Sequence, residues 1–200
     1  VLFDLSQIDF DALHEAFSRG RKRTEAERLK GAISRKLSQM VRLNRSRMDY
    51  LERFQSMIDA YNADSSNVEG FFQQLLDFTQ ALNEEERRNV AEQLTEEELA
   101  IFDLLTRPGV GLSELEEREV KAVAKKLLET LKQKHLALDW RKRQENRAAV
   151  QLAIEEVLDE LPVRFDKPLY DTKCRLVYQH IYDSYYGQGR SVYSSYMSSL

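Results

Sequence analysis

Apolar residues recur along this chain at steps of three and four, the spacing that places them on one face of an α-helix. The longest such run follows Thr24 and continues to about residue 62 without a proline. Its apolar positions are Leu29, Ile33, Leu37, Met40, Met48, Leu51, Phe54, Ile58 and Tyr61. One uninterrupted helix of this length would be a rod of about 55 Å at 1.5 Å per residue. Asn44 stands in the stripe at a position where an apolar residue is due.

Residues that favour helix ends mark further helices. Thr95 and Ser113 each precede a glutamate by three residues, a capping box that predicts the start of a helix. A short helix within residues 1–19 would be capped by Asp9 or Asp11, and Gly187 is placed to end the last long helix. No segment shows the two-residue alternation of a strand. The sequence therefore predicts an all-α fold.

The clearest interruption in the first half of the chain is a run of turn-forming residues, NADSSN, at residues 62–67. We therefore predict two parts, a long helical arm over residues 1–63 and an irregular helical bundle over residues 64–200. Glycine (7) and proline (3) are scarce among the 200 residues, which favours long helices throughout.

Composition excludes several classes of protein. The single cysteine, Cys174, rules out a disulfide framework and a cysteine-based zinc site, and it fits a reducing compartment. No apolar run approaches the roughly 20 residues of a membrane span and no signal peptide is present, so we expect no membrane contact. Because the chain begins at Val1 rather than methionine, we expect it to be a fragment of a longer protein.

The formal net charge of −4 conceals two segments of opposite sign. Residues 19–53 carry twelve basic and four acidic side chains, whereas residues 64–103 carry two basic and eleven acidic ones. Arginines seven residues apart would line one stripe of the long helix, where they could contact nucleic-acid phosphates. The candidate phosphate-binding residues are Arg28, Arg35, Arg42, Arg45 and Arg47. The alternative is a solvated face, or one that pairs with the acidic half of the same chain.

The sequence lacks the motifs of catalysis, cofactor binding and metal binding. It has no GxxxxGK[ST] loop to hold phosphates, no HExxH and no CxxC. Its three histidines are scattered, and His180 has only Asp183 one helical step away, without a nucleophile or a third partner. Cys174 lies on an apolar face and is most simply a small buried hydrophobe. We therefore predict no catalytic, cofactor-binding or metal-binding residue in this chain.

The last long helix carries an unusually wide apolar and aromatic face. Seven of the nine tyrosines fall within residues 170–200. One stripe of this helix contains Cys174 and Ile181, and a second stripe beside it contains Tyr178 and Tyr182. Either the helix is central to its own bundle, or one stripe contacts another protein, since tyrosine is enriched at interfaces. We interpret Trp140 as a core anchor, with an interface anchor as the second interpretation. The candidate interface residues are Trp140, Tyr178, Tyr182, Tyr185 and Tyr186.

Four segments together resemble one family. They are MVRLNRSRMDYLERFQSMIDAYNADSSNVEGFFQQLL, LTEEELAIFDLLTRPG, LDWRKRQENRAAVQLAIEEVLDELP and KCRLVYQHIYDSYYG. In their order and spacing, these segments are similar to the C-terminal helical region of the R (restriction and translocation) subunit of type I restriction–modification enzymes. The resemblance spans about residues 9–187. In that family an N-terminal nuclease and two ATP-driven DNA-translocating motor domains precede a helical region, which docks the subunit onto a methyltransferase–specificity core.

The resemblance implies a bacterial, cytoplasmic assembly module that is not itself an enzyme. Its partners would be the methyltransferase and specificity subunits, its own motor domain, and DNA through the complex. The parent subunit would use ATP and Mg²⁺, but the nuclease, P-loop and helicase motifs match nothing in this chain. The alternative function is a nucleic-acid-binding module that contacts DNA phosphates through the basic helix, and the resemblance leaves open whether that helix meets DNA or the motor domain.

Overall fold

The structure is a computed structural model that describes residues 9–20, 22–137 and 139–197. Most of these residues are helical, which confirms the all-α prediction. The first four helices are α1 (Phe10–Arg19), α2 (Lys22–Leu43), α3 (Met48–Ala63) and α4 (Val68–Ala91). They are followed by α5 (Glu96–Thr106), α6 (Glu114–Lys134), α7 (Gln144–Leu158), α8 (Lys167–Ser184) and α9 (Val192–Met197).

The predicted helix caps account for where several helices begin. Asp9, one of the two predicted caps of α1, accepts a hydrogen bond from the backbone N–H of Ala12 at 3.0 Å. Capping boxes at Thr95 and Ser113 open α5 and α6 as the sequence predicted. Residues 1–8 of the predicted arm lie outside the described residues.

The predicted single helix from Thr24 to about residue 62 is wrong, because the chain breaks at Asn44. The Asn44 side chain accepts a hydrogen bond from the Ser46 N–H at 3.1 Å and opens one 3₁₀ turn, Arg45–Arg47. The 22 residues of α2 therefore span about 33 Å rather than 55 Å. The polar residue in the apolar stripe was the signal for this break, since Asn44 is fully buried and caps the turn.

The chain forms two compact units that divide between Ala91 and Glu92, whereas the sequence pattern placed a boundary after residue 63. Helix α4 belongs to the first unit, because its apolar face completes the core formed by α1, α2 and α3. The turn at residues 64–67 therefore connects two helices of one unit. Stacked rings join α3 and α4: the ring centroids of Tyr61 and Phe71 lie 4.0 Å apart.

In the second unit, four helices form a closed ring of neighbours. α5 packs against α6 and α8, and α7 packs between α6 and α8. The inward side chains are almost wholly aliphatic and fully buried, as expected where helices pack face to face. They include Leu99, Ile101, Leu105, Val120, Leu127, Leu131, Val150, Ile154, Leu158, Val177 and Ile181.

A short hairpin follows the ring and corrects two predictions. Strands β1 (Tyr185–Gly187) and β2 (Arg190–Ser191) pair antiparallel, so the expectation of no strand fails in this segment. Gly187 does not end α8, which stops at Ser184. Instead it has a φ of +91°, and a Cβ there would lie 2.4 Å from the carbonyl oxygen of Ala137. The glycine thus allows the hairpin to approach the α6–α7 connection.

Candidate functional site

Helix α8 presents its two predicted stripes to different environments. Val177 and Ile181 are fully buried in the core of the second unit. Tyr178 and Tyr182 are only half-buried, as is Tyr186 in the hairpin. The first stripe is thus core at Val177 and Ile181, and the second lies at the surface of the second unit.

Trp140 holds the connection before α7 onto the end of α8. Its ring is fully buried, and its Nε1–H donates a hydrogen bond to the carbonyl oxygen of Tyr185 at 3.1 Å. The ring meets the edge of Tyr182 with 5.9 Å between centroids. Trp140 therefore has the first of its two predicted roles, that of a core anchor, and presents no surface to a partner.

Tyr185 is also buried, and its hydroxyl donates a 2.6 Å hydrogen bond to Oε2 of Glu97. Burial raises the pKa of Tyr185 far above its usual range, so the hydroxyl stays protonated and remains a donor. Glu97 in turn forms an ion pair with Lys132. This chain of contacts ties the start of β1, directly after α8, to α5 and α6, which makes Tyr185 a structural residue.

Arg141 covers the outer aromatic residues. Its guanidinium carbon lies 4.8 Å from the ring centroid of Tyr186 and 5.5 Å from that of Tyr182, within cation–π range. Its Nη1 donates a hydrogen bond to the carbonyl oxygen of Tyr182 at 3.1 Å. The half-buried tyrosines are thus held in place by neighbours that were not predicted to be part of the surface.

Next to these tyrosines, α7 and α8 border an open groove of about 760 Å³, the α7–α8 groove. Its apolar surface comes from Leu152 of α7, whose side chain is 56% exposed, and from Tyr170, Cys174 and Tyr178 of α8. The three α8 residues are four apart and therefore lie on one face of the helix. Leu152 was missed by sequence reasoning, although it stands outside the buried stripe of α7.

Hydrogen bonds fix Tyr170 in the wall of the groove. Its hydroxyl donates to the carbonyl oxygen of Glu155 at 2.9 Å and to Oδ1 of Asp159 at 2.7 Å. Burial, and then the hydrogen bond to Asp159, raise the pKa of Tyr170 well above its usual range. Burial also raises the pKa of the Cys174 thiol, which stays protonated and behaves as the small hydrophobe predicted.

His180 lies among hydroxyls and aromatic rings. Its Nδ1 is 3.4 Å from Oγ of Ser184, and its Nε2 is 3.3 Å from the hydroxyl of Tyr193. The side chain is buried, and it meets the ring of Tyr185 edge-on. Over the described ranges, no group of three or more histidine, cysteine, aspartate or glutamate side chains is placed to hold a metal ion.

The predicted phosphate-binding arginines divide into two sets. Arg28, Arg35 and Arg42 lie on the exposed side of α2, and Arg45 is exposed in the turn that follows. Arg47 is buried, with its Nε 2.9 Å from Oε1 of Glu85, so its guanidinium is not at the surface.

The basic segment also pairs with acidic residues of α4 in the same unit. Lys22 forms an ion pair with Glu69, and Lys36 forms one with Glu86. These contacts, like that of Arg47, are of the kind that the alternative interpretation of the basic segment expected. Arg28, Arg35 and Arg42 follow α2 at seven-residue spacing, and Arg28 also forms an ion pair with Glu25 at 3.3 Å.

Comparison with known families connects these features to a class of protein. A family model described as "Type I restriction enzyme HindI endonuclease subunit-like, C-terminal" matches residues 2–181. The chain belongs to this family. The match covers about nine-tenths of the 200 residues and confirms the resemblance found in the sequence. No curated protein and no solved structure matches the chain.

The described part of this C-terminal region of a type I restriction enzyme contains no helix long and apolar enough to cross a membrane.

The sequence predicted only part of the α7–α8 groove. The tyrosine stripe indicated that α8 has two apolar faces, but which face the bundle covers depends on where α7 packs. The carboxylates of α7 gave no signal, because charged residues are the usual outer face of any helix.

Proposed function

We propose that this chain is a non-catalytic assembly module of a type I restriction enzyme endonuclease subunit. It docks the ATP-dependent DNA translocase and endonuclease onto the methyltransferase–specificity core through the α7–α8 groove and the tyrosines beside it. The observation that carries the proposal is the half-buried Tyr178–Tyr182 stripe, which continues into a groove with an exposed Leu152. Aromatic and aliphatic side chains of this kind form the centres of protein interfaces.

The proposed mechanism is mechanical. The second unit holds the motor against the modification core, so that DNA pulled by the motor passes a fixed point. The residues present do not fit an ATP–Mg²⁺ site, because the sequence has no phosphate-binding loop and the described acidic residues form no ligand cluster. In this proposal, ATP hydrolysis and DNA cleavage belong to other parts of the subunit.

A binding assay with the purified methyltransferase–specificity core tests the proposal, with and without DNA and at two salt concentrations. We expect binding without DNA that survives the higher salt. The double substitution Tyr178→Ala and Tyr182→Ala should weaken that binding at least tenfold while the helical circular dichroism signal is retained. Leu152→Ser, at a side chain that is 56% exposed, should weaken it as well.

Leu115→Ala is the matched control, because Leu115 is 66% exposed on α6 of the same unit and lies outside the groove. It should leave the affinity unchanged. Unchanged affinity in the tyrosine and Leu152 variants would place the docking surface elsewhere.

A second candidate function is direct contact with DNA phosphates through Arg28, Arg35, Arg42 and Arg45. The observation that favours it is their exposure along α2 and the turn after it. Four phosphate contacts would make log K fall with log salt at a slope of about −3 to −4. Arg35→Glu with Arg42→Glu should flatten that slope by about 2 and weaken binding, and DNA affinity retained in this double variant would contradict the candidate.

A further inference from the structure

The two walls of the α7–α8 groove differ in charge. The α7 wall carries Glu155, Glu156 and Asp159, and among the described residues none of these three forms an ion pair. Their hydrogen bonds are to neutral groups: Gln151 donates to Glu155 at 3.1 Å, and Tyr170 donates to Asp159. This wall therefore presents three carboxylates beside an apolar floor, and one of them, Glu155, lies within electrostatic reach of Lys167 on the opposite wall.

The α8 wall carries one net positive charge, because Lys167 and Arg175 stand beside a single carboxylate, Asp171. Lys167 forms an ion pair with Asp171 at 2.8 Å, and hydrogen bonding to Asp171 raises the pKa of Lys167. Arg175 donates to the Asp171 carbonyl oxygen and to Oγ1 of Thr172, each at 3.4 Å. A ligand in the groove would thus meet negative charge on the α7 side and one net positive charge on the α8 side.

The length of the groove suits a short helical segment. Its α7 wall runs from Gln151 to Asp159, about 12 Å along the helix axis or roughly two turns. A depression between two packed helices accepts the side-chain ridge of a third helix. The apolar floor of Leu152, Cys174 and Tyr178 would contact residues spaced three and four apart on such a helix.

We propose that the α7–α8 groove binds an amphipathic helix of the partner whose apolar face is flanked by lysine or arginine on the edge that meets α7. This inference rests on the proposed docking function and names the chemistry of what docks. Nucleic acid is disfavoured in this groove, because its phosphates would face Glu155, Glu156 and Asp159. The basic edge also fixes the direction in which the partner helix lies.

Two labelled 16-residue peptides test this chemistry by fluorescence anisotropy. Both place leucine at helical spacing along one face, and their flanking positions are all lysine in one peptide and all glutamate in the other. We expect the lysine peptide to bind the full chain at least tenfold more tightly than the glutamate peptide. In the double variant Glu155→Lys and Glu156→Lys, the preference should reverse.

The matched control carries the same change of charge on the exposed side of α6, as Glu119→Lys with Glu129→Lys. It should keep the preference for the lysine peptide, which separates a local effect from the net charge of the chain. A preference that reverses equally in the control, or in neither variant, overturns the proposal. So does the finding that the chain alone forms a dimer that the Glu155→Lys and Glu156→Lys variant dissolves, because the occupant is then a second copy.

The methyltransferase–specificity core distinguishes this inference from the function on which it rests. If the tyrosine substitutions weaken core binding and the charge reversal does not, the proposed docking function is supported and the proposed basic helix of the partner is rejected. If neither affects core binding, the docking function of this surface fails with it. If both weaken core binding and the peptides reverse their preference, the docked segment is basic and amphipathic.

Discussion

Nε of Arg47 lies 2.9 Å from Oε1 of Glu85, and both side chains are almost completely buried within the first unit. Arg88 completes the arrangement from the next turn of α4, with its Nε 3.0 Å from the other carboxylate oxygen of Glu85. Arg47 lies in the turn that Asn44 caps, so the helix break places Arg47 where it forms the buried ion pair. An arginine that the sequence suggested for phosphate binding instead joins the α2–α3 turn to α4.

Arg47→Met should destabilise the protein by about 3 kcal/mol, because it leaves Glu85 buried with half of its pairing removed. Urea denaturation followed by circular dichroism measures the change. Arg42→Met, on the exposed side of α2, should stay within about 0.5 kcal/mol of the parent. Adding Glu85→Leu to Arg47→Met should recover most of the loss, and a double variant as unstable as the single one would contradict the ion-pair explanation.

Gly187→Ala should destabilise the second unit by about 3 kcal/mol. The new Cβ would lie 2.4 Å from the Ala137 carbonyl oxygen, on a residue whose φ is +91°. Thermal unfolding checks this value. Gly109→Ala is the control, since nothing lies within 4 Å of a Cβ there and the same replacement should be nearly neutral. Equal effects at both glycines would refute the close approach of the hairpin.

Lys173→Met should cost about 2–4 kcal/mol in the free energy of unfolding. The Lys173 amine is buried and donates to the carbonyl oxygens of Leu104 and Arg107 at 2.8 and 2.7 Å, at the C-terminal end of α5. Burial lowers the pKa of this amine. Methionine at this position would leave both carbonyl oxygens without that donor. Lys125→Met, at an exposed position of α6, is the control and should change little. A loss as small as the control's would mean that these hydrogen bonds add nothing.

Glu116→Gln should reduce the sensitivity of the fold to acid. The hydrogen bond from the Ser113 N–H, followed by that from Arg164, lowers the pKa of the Glu116 carboxyl below its usual range. A carboxyl whose folded pKa is lowered stabilises the fold above the unfolded pKa, and this contribution disappears as the pH falls through the folded value.

Urea unfolding of the parent and of Glu116→Gln at several pH values provides the test. The parent should be more stable near neutrality, and the gap should shrink as the pH falls below the ordinary glutamate pKa of about 4.3. Glu119→Gln, at an exposed position of the same helix, is the reference substitution. A gap that is independent of pH would show that Glu116 acts through something other than its charge.

Local chemistry predicted much of the fold, and long-range packing decided the rest. Asp9, Thr95 and Ser113 act through hydrogen bonds to N–H groups three residues away, so the sequence alone identified Thr95 and Ser113 and limited the α1 cap to Asp9 or Asp11. The sequence did not predict the break at Asn44, because the apolar spacing continues through the 3₁₀ turn into α3. It did not predict the buried ion pair of Arg47, because the partner, Glu85, lies 38 residues further along the chain.

The candidate site was predictable to the same extent. The two stripes of α8 follow from helical spacing, but both are apolar, and only the packing of α7 decides which one stays at the surface. Leu152 and the acidic wall beside it form a groove only when α7 and α8 pack side by side. Helical spacing within one sequence does not predict that arrangement.

The burial of Trp140 gives the second unit its own optical signal. This residue is the only tryptophan of the chain, and it lies inside the second unit against Tyr182 and the hairpin. Its emission spectrum will therefore follow the unfolding of residues 92–200 alone, whereas the helical signal averages both units. The separation between those two denaturation curves measures how independently the two halves of the chain unfold.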